Sequence, residues 1–399
     1  MDAYRNPYTP GAGSRPAALT GRDREIDRFR VVLGRLSHGA PEQGLVIHGL
    51  RGVGKTVLLN KLEEVAIEAA WATSFAEVRR GDDFRAVVAR TLFNAIRQLD
   101  AQRIGRRAIG RLKSAFASFS ASVASDGAIK FGFEVAPALG TADSGDLETD
   151  LVEIFQELGR AAAEGGSGAA ILLDELQLAG RDDLEALVAA IHRANQKALP
   201  ITVVAAGLPT LPGALTEAKT YAERLFSFPS LGALDESDAR DALALPARAQ
   251  EVAYADDALG LMLERAAGYP YFLQEWGRGV WDVAVANPIS VEDVEAAVPE
   301  VERKLAQDFF SVRLARTTPA ERRYCAAMAA LGDGAQESAA ISEALGYSSV
   351  QAASTLRASL IEKGVVYSVG RGKLDFTVPR FAAFLRESGS ATNALSSTS

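Results

Sequence analysis

The chain of 399 residues has a single cysteine, Cys325, which excludes an internal disulfide framework. Cys325 lies in an apolar helical stretch with no thiol partner and reads as a core residue. Long apolar runs are also missing. Stretches such as Ile201 to Leu208 fall far short of the roughly 20 residues needed to span a bilayer, so no membrane segment is expected. Residues 1–20 contain Arg5 and Arg15 but no apolar segment. No signal peptide is expected there, and the expected location is cytoplasmic. Nor is positive charge in excess: Lys+Arg 43 against Asp+Glu 51 leave a net −8, so any nucleic-acid contact must be a local patch. What is present is an ordinary globular composition, 48% hydrophobic and 24% charged, long enough for two or three domains.

The most specific feature is Gly49-Leu50-Arg51-Gly52-Val53-Gly54-Lys55-Thr56, a complete G-x-x-x-x-G-K-[ST] phosphate-binding loop. Its glycines let successive backbone N–H groups turn inward around the β- and γ-phosphates. Lys55 adds a point charge there, and the Thr56 hydroxyl suits Mg²⁺. The apolar run Leu45-Val46-Ile47-His48 before it fits a buried strand. Val57 to Val65 after it has helical periodicity, which would set the phosphates on a helix N-terminus. The expected nucleotide-binding run is therefore Gly49 to Val57, with ATP and Mg²⁺ as the expected ligands.

More than a hundred residues downstream, Gly168 to Glu175 is an apolar run ending in two acids, the Walker B pattern. A run without alternation suits a central parallel strand, and ligands bind at the C-terminal ends of such strands. Asp174 is the expected Mg²⁺ partner of Thr56, and Glu175 the residue expected to orient and activate the attacking water. Pro200–Pro209 is a third strand candidate, following a helix over Asp182–Lys197. Its tip, Ala206-Gly207-Leu208, lacks the polar group that senses the γ-phosphate in many P-loop ATPases, with Thr210 the nearest substitute. Slow hydrolysis is the expectation.

The remaining segments divide as follows. Residues 98–150 form an enlarged region in which Arg103, Arg106, Arg107, Arg111 and Lys113 cluster. The cluster reads as a solvated helix face or as a nucleic-acid or partner contact. Ile129, Phe131, Phe133 and Val135 alternate like one face of a strand, and Asp146–Ala163 has helical spacing. From Leu234 the chain turns helical, with Asp235 as an N-cap and Ser290-Val291-Glu292-Asp293 as a capping box. Thr318-Pro319-Ala320-Glu321 starts the last region: three helices, then a hairpin whose arms flank Gly370-Arg371-Gly372. That is a winged-helix pattern. Residues 318–388 hold eight basic and seven acidic side chains, thin for DNA binding.

This ordering resembles the origin-recognition-like and archaeal-type AAA ATPases, and the related STAND ATPases. The resemblance covers about residues 18 to 388. It rests on Thr20-Gly21-Arg22-Asp23-Arg24-Glu25, the Walker A loop, Asp174-Glu175-Leu176-Gln177, Gly207-Leu208-Pro209, Glu223-Arg224-Leu225-Phe226 and Gly268-Tyr269-Pro270. It implies that Gly21 and Arg22 pack near the adenine, that Pro270 of the helical lid contacts the base, and that Arg224 is an arginine finger. A finger needs a second subunit, hence an ATP-promoted homo-oligomer. No lid arginine after Pro270 is evident beyond Arg278. No LSGGQ-like signature is found, against ABC transport, and the lid and winged helix argue against a small-molecule kinase.

The expected fold class is therefore α/β, a P-loop AAA-type parallel sheet with helices on both faces, followed by an all-α lid and a winged helix. The expected domains are an extended tail (1–20), the ATPase core (21–232), the lid (233–312), the winged helix (313–388) and a disordered tail (389–399). The expected activity is slow Mg²⁺-dependent ATP hydrolysis that switches a protein partner. The alternative is a DNA-associated ATPase of the origin-recognition type using the winged helix and the basic patch.

Overall fold

The short aliphatic and β-branched runs become strands of one parallel sheet: β1 Gly44–Gly49, β2 Ala72–Glu77, β3 Ala169–Asp174, β4 Ile201–Gly207, β5 Phe226–Ser227 and β6 Ser230–Leu231. The computed structural model describes all residues except 12, 103–104, 122–135, 139 and 397–399. Arg103 and the alternating run from Ile129 to Val135 lie outside the described residues. By its internal packing the chain divides into two units, and each is described by itself. One holds Met1–Gly21, Leu50–Gly54 and Gly232–Ser399, the other Arg22–Gly49 and Lys55–Leu231.

The second of these units holds the sheet, in the order β2-β3-β4-β1-β5, with β6 paired to the end of β1. Every pairing is parallel, with registers such as Leu45 to Val204 and Ala169 to Ile201. Strands β3 and β4 are buried along their whole length, which is why they read as unbroken apolar runs. Strand β2 carries Thr73, Ser74 and Glu77 among its six residues and left no clear apolar signature in the sequence. The helices of this unit are α1 Asp23–Ser37, α2 Lys55–Glu68, α3 Phe84–Ala101, α4 Arg106–Ala121, α5 Leu147–Glu164, α6 Arg181–Gln196, α7 Leu211–Ala218 and α8 Ala222–Leu225. Side chains of α3, α4, α5 and α6 and of the sheet build one core containing Phe84, Phe116, Phe119, Phe155 and Leu158. The enlarged region is tied to it by an ion pair: Arg85 Nη2 lies 2.6 Å from the fully buried Asp150 carboxylate. The other oxygen of Asp150 accepts from the Ser144 amide and hydroxyl.

The other unit is mostly helical: α9 Glu236–Arg248, α10 Asp256–Ala266, α11 Pro270–Val283, α12 Val291–Lys304, α13 Val312–Leu314, α14 Pro319–Ala330, α15 Ser338–Ala344, α16 Ser354–Glu362 and α17 Phe381–Ser396. A π-helical stretch, Leu305–Ser311, joins α12 to α13. The N-caps follow the sequence signals: Asp235 accepts from Asp238 N, and Ser290 with Asp293 and Thr318 with Glu321 form capping boxes. Strands β7 Gln336–Glu337, β8 Val366–Gly370 and β9 Lys373–Phe376 make a small antiparallel sheet in the order β7-β9-β8. The hairpin expected from sequence thus gains a third strand. Residues 1–20, read from sequence as an extended tail, pack within this unit: Tyr8 is buried and donates its hydroxyl to Leu243 O, 2.5 Å away.

One buried acid organises the C-terminal helices. Glu321 accepts from Thr318 N at 2.7 Å, Ser359 Oγ at 2.6 Å and Lys363 Nζ at 2.8 and 2.6 Å. Burial alone would push its carboxyl up; Lys363, Ser359 and Thr318 together outweigh that and hold it at about 2. The capping glutamate read from sequence is therefore also the anchor of α16. Among the described residues no helix is long and apolar enough to cross a membrane.

Candidate functional site

Strands β1 and β3 run parallel with β4 between them, so both deliver their last residues to the same edge of the sheet. Gly49 ends β1 and Asp174 ends β3. Helix α2 begins at Lys55, which makes Thr56 and Val57 its first turn, as the strand–loop–helix pattern requires. The Lys55 side chain is buried and its ammonium donates to Gly49 O at 2.9 Å. Thr56 Oγ1 donates to Asp174 Oδ2 at 2.5 Å. The Walker A hydroxyl and the Walker B carboxylate, 118 residues apart in sequence, are thus in direct contact.

Asp174 is almost completely buried. Burial raises its acid, opposed by the hydrogen bonds from the Thr56 hydroxyl and the Glu175 amide. His48, one residue before the loop, is shifted the other way: burial lowers it, and the Lys55 charge adds to that. A hydroxyl and a carboxylate side by side are oxygen donors of the kind Mg²⁺ takes, and these two residues would hold it. Among the described residues no group of three or more His, Cys, Asp or Glu forms an all-protein metal site.

Glu175 adopts a left-handed backbone, φ 52°. For a residue with a Cβ that costs on the order of 1 kcal/mol, and such outliers persist where surrounding contacts over-determine them. Among the surrounding contacts are its own amide, which donates to Asp174 Oδ1 at 2.8 Å, and Gln177, whose Nε2 donates to Glu175 Oε2. Gln177 Oε1 in turn accepts from Leu208 N at 3.1 Å. The tip of β4 lacks a polar side chain, as its sequence indicates. A polar group nevertheless stands there, supplied by Gln177 of the turn after β3. In sequence Gln177 is marked only by the Asp174–Gln177 signature; its place at the β4 tip follows from tertiary packing and has no local signal.

The loop tip, Leu50 to Gly54, has its own set of contacts. Gly52 and Gly54 take φ values of 86° and 91°, which favour glycine. Gly52 O accepts from Tyr271 N at 3.2 Å, and Arg51 O accepts from the Tyr269 hydroxyl. Arg51 N donates to Thr377 O at 3.2 Å, just after β9. Tyr269, Tyr271 and Phe309 close around Gly52: a Cβ there would come within 3.1 to 3.3 Å of all three. Tyr271 and Phe309 stack with ring centroids 4.6 Å apart. Pro270 is the first residue of α11, between the two tyrosines. Arg313 Cζ lies 4.1 Å from the centre of the Phe309 ring. Burial, with the charge of Arg51, lowers Arg313 to about 10. Arg313, and not the exposed Arg278, is the cation beside the loop tip. It lies too far along the chain from Pro270 for any local spacing to signal it.

The other residues singled out from sequence fall elsewhere. Gly21 packs against Asp238, whose carbonyl accepts from the Thr20 hydroxyl at 2.8 Å. Arg22 is the N-cap of α1 and is buried. Arg224 lies in α8, just before β5; its carbonyl faces Gln43 Nε2 at 3.4 Å, next to the start of β1. It therefore sits at the opposite end of β1 from Gly49, roughly 17–20 Å away along six strand residues. Its side chain is exposed and has no carboxylate partner among the described residues. In the basic cluster, Arg111 pairs with Glu164 and Lys113 with Asp100, while Arg106 and Arg107 are exposed.

Residues 18–204 match the AAA ATPase domain family. Residues 307–385 match a domain of unknown function, DUF8462. No curated protein matches the chain. Among solved structures it is similar to the Walker-type ATPase PABY2304 of Pyrococcus abyssi, with TM-score 0.59 and 16% identity over 93% of this chain and 97% of that one. Weaker overlays are with the ORC1 protein of Aeropyrum pernix in complex with DNA (TM-score 0.43, 18% identity, 95% of each chain). The RuvB Holliday junction branch migration motor of Thermotoga maritima overlays at TM-score 0.46 and 16% identity, over 91% of this chain and 96% of that one. The chain thus has the parallel-sheet fold of a P-loop ATPase, and its residues 18–204 match the AAA ATPase domain family.

Proposed function

We propose that this protein binds ATP with Mg²⁺, hydrolyses it slowly, and uses its nucleotide state to switch a protein partner. In this reading Gly49 to Val57 hold the phosphates, with Lys55 supplying charge. Thr56 and Asp174 hold the metal, which supplies electrostatic neutralisation of the phosphates when bound. Glu175 orients the attacking water, and Gly21, Arg22 and Pro270 serve the base. We read residues 313–388 as a winged helix, from three helices and an antiparallel sheet closed by a hairpin.

The observation that carries the switch is the hydrogen bond from Arg51 N to Thr377 O. Thr377 is fully buried, and its hydroxyl donates to Gly364 O at 2.7 Å, so the carbonyl that accepts from the Walker A loop belongs to a fixed pad. A loop that rearranges around three phosphates changes its contact with that pad, and the C-terminal segment receives the nucleotide state. Hydrogen exchange of peptides covering 364–378, with and without ATP·Mg²⁺, tests this. Altered protection there is the expected result; identical protection with the loop itself protected overturns the switch. The DNA-associated alternative has weaker support, since Arg111 and Lys113 are already paired and the C-terminal segment is near neutral in charge.

Arg224 fits a role in trans. At the N-terminal end of the sheet it is too far from Gly49 of its own chain, and among the described residues no acid pairs with its exposed guanidinium. An arginine presented to a neighbour's γ-phosphate stabilises the charge of the transferring group and is worth about a thousandfold in rate. Activity per mole should therefore rise with protein concentration, and Arg224→Ala should abolish that rise while ATP affinity stays unchanged. A concentration-independent rate that the substitution leaves intact makes Arg224 a surface residue only.

A further inference from the structure

The turn after β3 carries a side chain whose orientation is fixed without ambiguity by its neighbours. Leu208 N can only donate, so the Gln177 carboxamide must present Oε1 to it. Nε2 is then left facing Glu175 Oε2, which as a carboxylate only accepts. The result is a one-way chain of donors, from the backbone at the β4 tip through Gln177 to the Walker B glutamate. Space for it comes from Gly207: a Cβ there would overlap Gln177 Oε1 and lie 2.7 Å from Leu211 Cδ2. The missing side chain at the strand tip and the inserted carboxamide are two halves of one arrangement.

We propose that Gln177 is the positioning residue of the hydrolytic step: it holds the Glu175 carboxylate and couples it to the tip of β4. This rests on the reading that Glu175 orients the attacking water. The left-handed backbone at residue 175 aims the carboxylate, and a charge-assisted hydrogen bond fixes its remaining rotation. A carboxylate free to rotate spends only part of its time in the geometry that takes a proton from water, so turnover falls while nucleotide affinity does not. Any displacement of β4 at Leu208 reaches Glu175 through two hydrogen bonds, which gives the β4 tip control of the base without a polar side chain of its own.

The test is a double-mutant cycle on the full chain, reading kcat and the ATP dissociation constant separately. Gln177→Leu removes both hydrogen bonds. Gln177→Glu keeps an acceptor for Leu208 N but loses the donor to Glu175, and so separates positioning of the base from support of the strand. Both are expected to lower kcat about tenfold or more, the scale of one hydrogen bond to a charged group, with the dissociation constant unchanged. In a Glu175→Gln background, Gln177→Leu should cost nothing further, because its effect passes through the carboxylate. Wild-type kcat in Gln177→Glu, or full additivity in the double variant, overturns the proposal. If instead Glu175→Gln alone keeps wild-type turnover, the reading of Glu175 has failed. The two failures are distinct.

Discussion

Lys55→Ala is expected to lose ATP affinity by roughly ten- to a hundredfold, the scale of a charge-assisted hydrogen bond to an anion. The expectation comes from where the ammonium is held. Lys55 is buried at the first turn of α2, where its ammonium donates to Gly49 O. Three phosphates at the same loop would add concentrated negative charge beside that ammonium, so the lysine contributes most when nucleotide is bound. Alanine removes the charge but leaves the glycine backbone and the Thr56–Asp174 contact intact, so the fold is retained. Calorimetry with ATP·Mg²⁺ reads the change directly. An unchanged dissociation constant would remove the Walker A loop from the nucleotide site.

Glu175→Gln separates binding from chemistry. The substitution keeps the length of the side chain and an oxygen that can still accept from Gln177 Nε2, so the turn after β3 is preserved. It removes the carboxylate that takes a proton from water. ATP affinity should stay within a factor of about two, whereas phosphate release should fall about a hundredfold or more, the usual scale of a general base. Single-turnover measurement with the variant saturated by ATP checks this. Phosphate release at the wild-type rate would make Glu175 a structural residue and shift the search to another group near Asp174.

Much of this architecture is local and was therefore legible. A glycine-rich loop between an aliphatic strand and a periodic helix is specified by residues within about twenty positions of one another, and β1, the loop and α2 follow that pattern. Unbroken apolar runs become buried parallel strands because both faces need covering, and this placed β3 and β4. Caps are legible for the same reason: Asp235, Ser290 and Thr318 satisfy orphan amides one turn away. Strand β2 was not legible, because its three polar residues hide a pairing that depends on β3.

Through local chemistry alone the amino-acid sequence determined the phosphate loop, its flanking elements, the two acids at the end of β3 and the capped helices of the C-terminal half. Tertiary structure decided everything that joins residues distant in sequence. It put Thr56 against Asp174, because parallel strands share an edge whatever the length of chain between them. It put Arg313 beside Arg51 and Thr377 beneath the Walker A loop, where no spacing rule could forecast a partner. It also filled the polar gap at the β4 tip from another element: Gly207 left a space that the Gln177 carboxamide occupies. Side-chain placement of this kind is set by packing between elements, and packing has no period to read.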